Sequence, residues 1–111
     1  GQLHGGVVHG IGQALYESTV YDESGQLVTG SYMDYAMPRA ADVPFFSFEN
    51  AGVPTATNPL GAKGCGEAGC AASLPSVMNA IVDAMSPYGV KHVDMPATPV
   101  AIWQIINAAG R

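Results

Sequence analysis

Residues 61–69, GAKGCGEAG, place four glycines in nine positions, with one lysine, one cysteine and one carboxylate between them. A glycine held in a regular element costs about 0.5–1 kcal/mol relative to alanine. Such density is tolerable where the backbone takes positive φ or lies against a ligand or another backbone. Pro59 stands just before the run and an apolar helical pattern follows it. The stretch therefore reads as a loop feeding a helix start, with Glu67 at the junction and the N–H groups of Gly64, Cys65 and Gly66 open. Exposed N–H groups at a helix N-terminus suit an anion or a cofactor phosphate. Lys63 fits either an anion clamp or a solvated surface charge. It is followed by glycine, so the magnesium-binding hydroxyl of a GxxxxGK[ST] phosphate loop is missing.

Upstream, Leu3, Val7, Val8, Ile11, Ala14 and Leu15 recur at helical spacing over residues 2–17. Gly5, Gly6, Gly10 and Gly12 weaken that helix by about 1 kcal/mol each, which predicts close approach to another backbone or a ligand. Ser18–Asp22, the turn Glu23-Ser24-Gly25 and Gln26–Tyr32 read as a hairpin. From Met33 to Pro59 the prolines at 38, 44, 54 and 59 block helix, and Phe45, Phe46 and Phe48 read as one short strand. A connection this long inside a small domain is commonly functional or packed on a partner.

Past the glycine run, Leu74, Val77, Met78, Ile81, Val82 and Met85 form an apolar helical face, with Ser73 as cap, Pro75 in the first turn, and Pro87 and Gly89 ending it. A last helix is capped by Thr98, opened by Pro99, faced by Val100, Ile102, Trp103 and Ile106, and stopped by Gly110. The predicted fold class is α+β, with about three helices, a β-hairpin and one further short strand in a single domain or fragment spanning residues 1–111.

The chain has 111 residues, 48% of them hydrophobic and only 12% charged, against about a quarter charged in ordinary globular domains. A surface so poor in charge predicts cover by other protein, and exposed apolar helix faces predict self-association in isolation. Net charge is −5 with four basic residues, too few for a phosphate-tracking stripe, so no nucleic-acid partner is expected. With no long apolar run, no membrane span is expected either. Cys65 and Cys70 are too few for a disulfide framework or an iron–sulfur cluster and read as a reduced intracellular pair. The chain opens at Gly1 inside a patterned segment, like an excised or truncated piece.

Glu67 is the one acid in the glycine-rich stretch. Small apolar neighbours suit a general base, while a glutamate at a helix start also serves as a cap or dipole partner. His4 and His9 are five apart and lie on different helix faces, and with Cys65 and Cys70 they lack zinc-site spacing. No serine sits in a nucleophile elbow.

Taken in order, GQLHGGVVHGIGQALYE at 1–17, YDESGQLVTGSYMDYAMPRA, NPLGAKGCGEAG and HVDMPATPVAIWQII at 92–106 resemble the C-terminal part of the molybdopterin-binding large subunit of the xanthine dehydrogenase, aldehyde oxidase and carbon monoxide dehydrogenase family. The resemblance covers essentially the whole chain. It implies that Glu67 is the catalytic base beside the molybdenum, removing a proton from the water-derived nucleophile during oxidative hydroxylation of an aldehyde or N-heterocycle. It implies that Lys63, Gly64, Cys65 and Gly66 pack beside the molybdopterin, with Gln2, Gly5 and Gly6 on a second cofactor-contacting segment.

The family's large subunit is several times longer. Its other molybdopterin segments are absent here, and iron–sulfur and FAD groups would sit on partner domains. The resemblance thus implies a cytoplasmic fragment or split subunit, inactive and without bound cofactor when isolated. The alternative is a non-catalytic interaction or assembly module, or the relic of such an enzyme.

Overall fold

In the computed structural model, which describes residues 1–109, three helices carry the fold: α1 (Gln2–Leu15), α2 (Cys70–Ala84) and α3 (Pro99–Ala109), with a short 3-10 turn at Ser86–Tyr88. The expected α+β class is not what forms. Among the described residues there is no strand or sheet, only an isolated antiparallel bridge between Tyr21 and Leu27. The hairpin turn itself is present: the Asp22 N–H donates to Gln26 O at 2.9 Å and the Val28 N–H to Val20 O at 2.8 Å, with Gly25 at φ 82°. The pairing stops there because both faces of the ribbon are bare. Val20, Tyr21, Leu27 and Val28 are all exposed, and a lone two-stranded ribbon gains too little burial to extend. Phe45, Phe46 and Phe48 form no strand either. Residues 44–55 run without turn, bend or ladder partner, so β propensity finds no neighbouring strand to pair with.

The Asp22 carboxylate organises the turn, accepting from the Ser24 hydroxyl at 2.6 Å and from the Ser24 and Gln26 N–H groups at 2.9 Å each. The Ser24 hydroxyl first, then the backbone donors, hold its carboxyl below the usual carboxylate value. A depressed folded value means that the turn gains support above the unfolded pKa and loses it as pH falls through the folded one. NMR titration should therefore show the Asp22 carboxyl changing charge at lower pH than a free aspartate. The Asp22–Gln26 hydrogen bond should weaken only in that acidic window, and an ordinary titration midpoint would refute the assignment.

α1 lies across the start of α2 at a glycine crossing. A Cβ on Gly69 would sit 2.6 Å from Leu3 O and 2.7 Å from Val7 N, and one on Gly6 would sit 3.0 Å from Gly69 Cα. One turn on, Gly10 faces Ser73, and Gly12 faces Pro38. The predicted close approach to another backbone is met at Gly6 and at Gly10, where a Cβ would lie 3.0 Å from Leu74 N, but Gly12 meets only side chains and Gly5 meets nothing within 4 Å. α2 starts at Cys70 with Gly69 as N-cap, four residues earlier than Ser73 would place it, and Pro75 lies inside the helix. Ser73 cannot cap, because its N–H already donates to Gly69 O at 3.2 Å. Gly89, left-handed at φ 74°, ends the 3-10 turn that follows α2.

α3 opens as expected, with Thr98 Oγ1 accepting from the Ala101 N–H at 3.2 Å and Pro99 in first position. Its inner face differs from the predicted one. Ile102, Ile105 and Ile106 pack on the core of Met85, Val93 and Ala97, while Val100 and Trp103 point outward at 64% and 65% exposure. The predicted stop at Gly110 lies outside the described residues. A 2.7 Å bond from the Ala97 N–H to Ala14 O ties the end of α1 to the approach to α3.

Little is enclosed. The accessible surface is 8308 Å², against about 5,800 Å² for a compact monomer of this mass. The radius of gyration is 17.8 Å, where about 13 Å is usual for this length.

Candidate functional site

The glycine-rich loop is set by the turn before it. Gly61 takes φ 64°, and its N–H donates to Asn58 O at 3.1 Å. From there Lys63–Gly66 runs exposed to a turn at Gly66–Gly69 that leads into α2. Among the described residues, none of the backbone N–H groups from Lys63 to Glu67 donates to a protein oxygen. The Ala71 N–H donates to Glu67 O at 3.0 Å, so the glutamate's own carbonyl begins the helical ladder. Its side chain is exposed and caps nothing: α2 has no side-chain cap bond and no acid in its first turn. Its carboxylate therefore makes no capping bond here.

The crossing of α1 and α2 brings Gly6 against Gly69. Leu3, Lys63, Gly64 and Cys65 share one open cleft of about 590 Å³. Two segments far apart in the chain thus meet at one surface. Gly5 turns to the opposite flank of α1, where it lines a cleft of about 490 Å³ with His4, Arg39 and Phe46. His4 stands edge-on to Phe45 and Phe46 there, with ring centroids 5.8 and 6.0 Å away. Gln2 is exposed at the start of α1 and lines neither cleft. Lys63 has no carboxylate partner among the described residues. Cys65 and Cys70 are free thiols, and no group of three or more His, Cys, Asp or Glu side chains gathers among the described residues. Asn58, whose side chain grips the loop, went unassigned in the sequence. Its signal was the Asn-Pro pair three residues before a glycine.

Gly64 and Gly66 have no conformational need for glycine. Neither sits at positive φ, and a Cβ on either would meet nothing in the chain within 4 Å. Glycine there makes sense if something outside this chain lies against the backbone, and the open N–H groups offer donors to oxygen acceptors on it. The residues present thus fit an oxygen-rich cofactor at this face.

Comparison with known proteins gives the family. A family described as molybdopterin cofactor-binding domain matches residues 1–44. The nicotine 6-hydroxylase large subunit of Paenarthrobacter nicotinovorans is 41% identical over 89% of this chain. The carbon monoxide dehydrogenase large chain of Hydrogenophaga pseudoflava is 36% identical over 96%. The chain belongs to the xanthine dehydrogenase, aldehyde oxidase and carbon monoxide dehydrogenase family of molybdopterin-binding large subunits. Among solved structures, a copper- and molybdenum-containing carbon monoxide dehydrogenase superposes on 98% of the chain with a TM-score of 0.91 at 30% identity. Quinoline 2-oxidoreductase from Pseudomonas putida 86 covers 96% with a TM-score of 0.88 at 37% identity. The chain spans only 12% and 13% of the two sequence relatives and 14% of each solved chain. Among the described residues no helix is long and apolar enough to cross a membrane.

Proposed function

We propose that this chain supplies one wall of the molybdenum-cofactor site of a molybdenum hydroxylase, with Glu67 as the catalytic base. The reading is carried by one observation. The exposed carboxylate of Glu67 follows a backbone run of unpaired N–H groups and two glycines that the chain's own packing does not require. Lys63, Gly64, Cys65 and Gly66 hold the cofactor's edge through backbone donors and close approach, and Lys63 adds a positive charge. Gly6 serves by letting α1 close on Gly69. Gln2, at the exposed start of α1, is assigned to the cofactor through the family resemblance. The bound molybdenum cofactor supplies the two-electron redox chemistry, and water is the oxygen source. Glu67 takes the proton that the water-derived nucleophile gives up at its carboxylate oxygen, which is standard general-base work. The substrate class is an aldehyde or an N-heterocycle, and iron–sulfur and flavin groups on partner chains receive the electrons in the cytoplasm.

The cofactor's remaining contacts come from polypeptide that this chain does not span. Surface well above that of a compact monomer and a charge fraction of 12% support packing against that polypeptide. Purified alone, the chain should contain no molybdenum and should self-associate through its bare apolar faces. Co-expressed with the complementary large-subunit segments, it should enter a complex with bound molybdenum. Stoichiometric molybdenum in the isolated chain, or a clean monomer at high concentration on sizing, would overturn this reading.

A further inference from the structure

The side chain of Asn58 holds the loop that presents Glu67. Its Oδ1 accepts from the N–H groups of Leu60 and Ala62, both at 3.1 Å, and its Nδ2 donates to Ala62 O at 2.9 Å. The amide has one orientation that fits, because the reverse would aim Nδ2 at two N–H donors. One side chain thus ties both polar groups of Ala62, the last anchored residue before the run of unpaired N–H groups at Lys63–Glu67. The backbone carbonyl of Asn58 takes the Gly61 N–H at 3.1 Å, and the Thr55 N–H donates to Gly61 O at 3.1 Å. The turn needs glycine at this position, since a Cβ there would lie 2.8 Å from the Pro54 side chain and φ is 64°. At its far end the loop is anchored where Gly69 meets α1. Lys63–Glu67 is therefore a short span held at two ends, and Asn58 determines the direction in which it leaves the first.

We propose that Asn58 is a positioning residue, acting through the Lys63–Glu67 backbone to place the Glu67 carboxylate. The inference rests on the reading of Glu67 as the base. A misplacement of about 1 Å by a residue away from the chemistry costs on the order of 100-fold in rate, so Asn58→Ala should lower kcat of the assembled enzyme about 10- to 100-fold with KM nearly unchanged. Asn58→Asp keeps the two accepting contacts but replaces the donation to Ala62 O with an oxygen–oxygen repulsion, and should recover only part of the loss.

Two measurements test the proposal separately from the role of Glu67. In the assembled enzyme, hydrogen exchange at Leu60 and Ala62 should quicken at least about 10-fold in Asn58→Ala, with amides of α1 and α2 unchanged, whatever Glu67 does. In a Glu67→Gln background, Asn58→Ala should lower kcat no further. Unchanged exchange at Leu60 and Ala62, equal loosening of the helices, or an undiminished kcat loss in the Glu67→Gln background would each overturn it. If Glu67→Gln by itself leaves turnover intact, the base assignment fails while the exchange result still shows whether Asn58 holds the loop.

Discussion

Replacing Glu67 by glutamine in the assembled enzyme should lower kcat by about 100- to 10,000-fold, the range that a positioned general base contributes. Glutamine keeps the size and hydrogen-bonding reach of the side chain but cannot take a proton at neutral pH. The substitution should be structurally silent, because the Glu67 carboxylate caps no helix and its backbone carbonyl, which does bond Ala71, is unaffected. Molybdenum and molybdopterin content should stay at the unsubstituted level. Loss of turnover with full cofactor content supports the assignment. Full turnover refutes it, and loss of cofactor in step with activity would make Glu67 part of the cradle instead.

Gly69→Ala should be the most damaging single substitution to the fold. The added Cβ would meet Leu3 O, Val7 N and the Gly6 carbonyl carbon at 2.6–2.8 Å, and all three are helix backbone with no rotamer to yield. Forcing atoms into packed space costs about 1–3 kcal/mol where neighbours can adjust, and here α1 must move bodily. Among the described residues the buried hydrophobic set is only Ala14, Met85, Val93 and Ala97, so little else holds α1 on α2. The thermal midpoint should fall by on the order of 10 °C, read by circular dichroism. Gly64→Ala is the matched control, since its Cβ meets nothing within 4 Å. It should leave the midpoint unchanged and lower cofactor retention in the assembled enzyme. A Gly69→Ala chain as stable as the parent would show that the crossing is looser than its geometry indicates.

Local chemistry was legible where neighbouring residues decide the outcome. Thr98 and Pro99 open α3 because the cap bond and the pre-set proline dihedral involve only adjacent positions. The Glu23-Ser24-Gly25 turn forms because Asp22 satisfies its donors within four residues. The expected strands failed for the opposite reason. A ladder needs a partner strand and a covered face; among the described residues no strand pairs with the 18–32 ribbon beyond its one bridge, and none pairs with Phe45–Phe48. The start of α2 was misplaced because Ser73 and Pro75 look like a cap and a first turn. The contact of Gly69 with α1, a long-range event, lets the helix begin earlier.

By itself the sequence determined the three helices, the glycine-rich loop with Glu67 inside it, and family membership through motifs in the right order. These rest on spacing and on residue types whose backbone preferences act locally. Only the tertiary structure decided that α1 and α2 cross at Gly6 and Gly69, that Leu3 joins Lys63 and Gly64 in one cleft while Gly5 faces another, and that Asn58 grips the loop. It also separated two kinds of glycine within GAKGCGEAG. Gly69 is required by another helix at van der Waals distance, whereas Gly64 and Gly66 border open space. No periodicity encodes that difference, because it depends on which atoms lie opposite each Cα once the chain has folded.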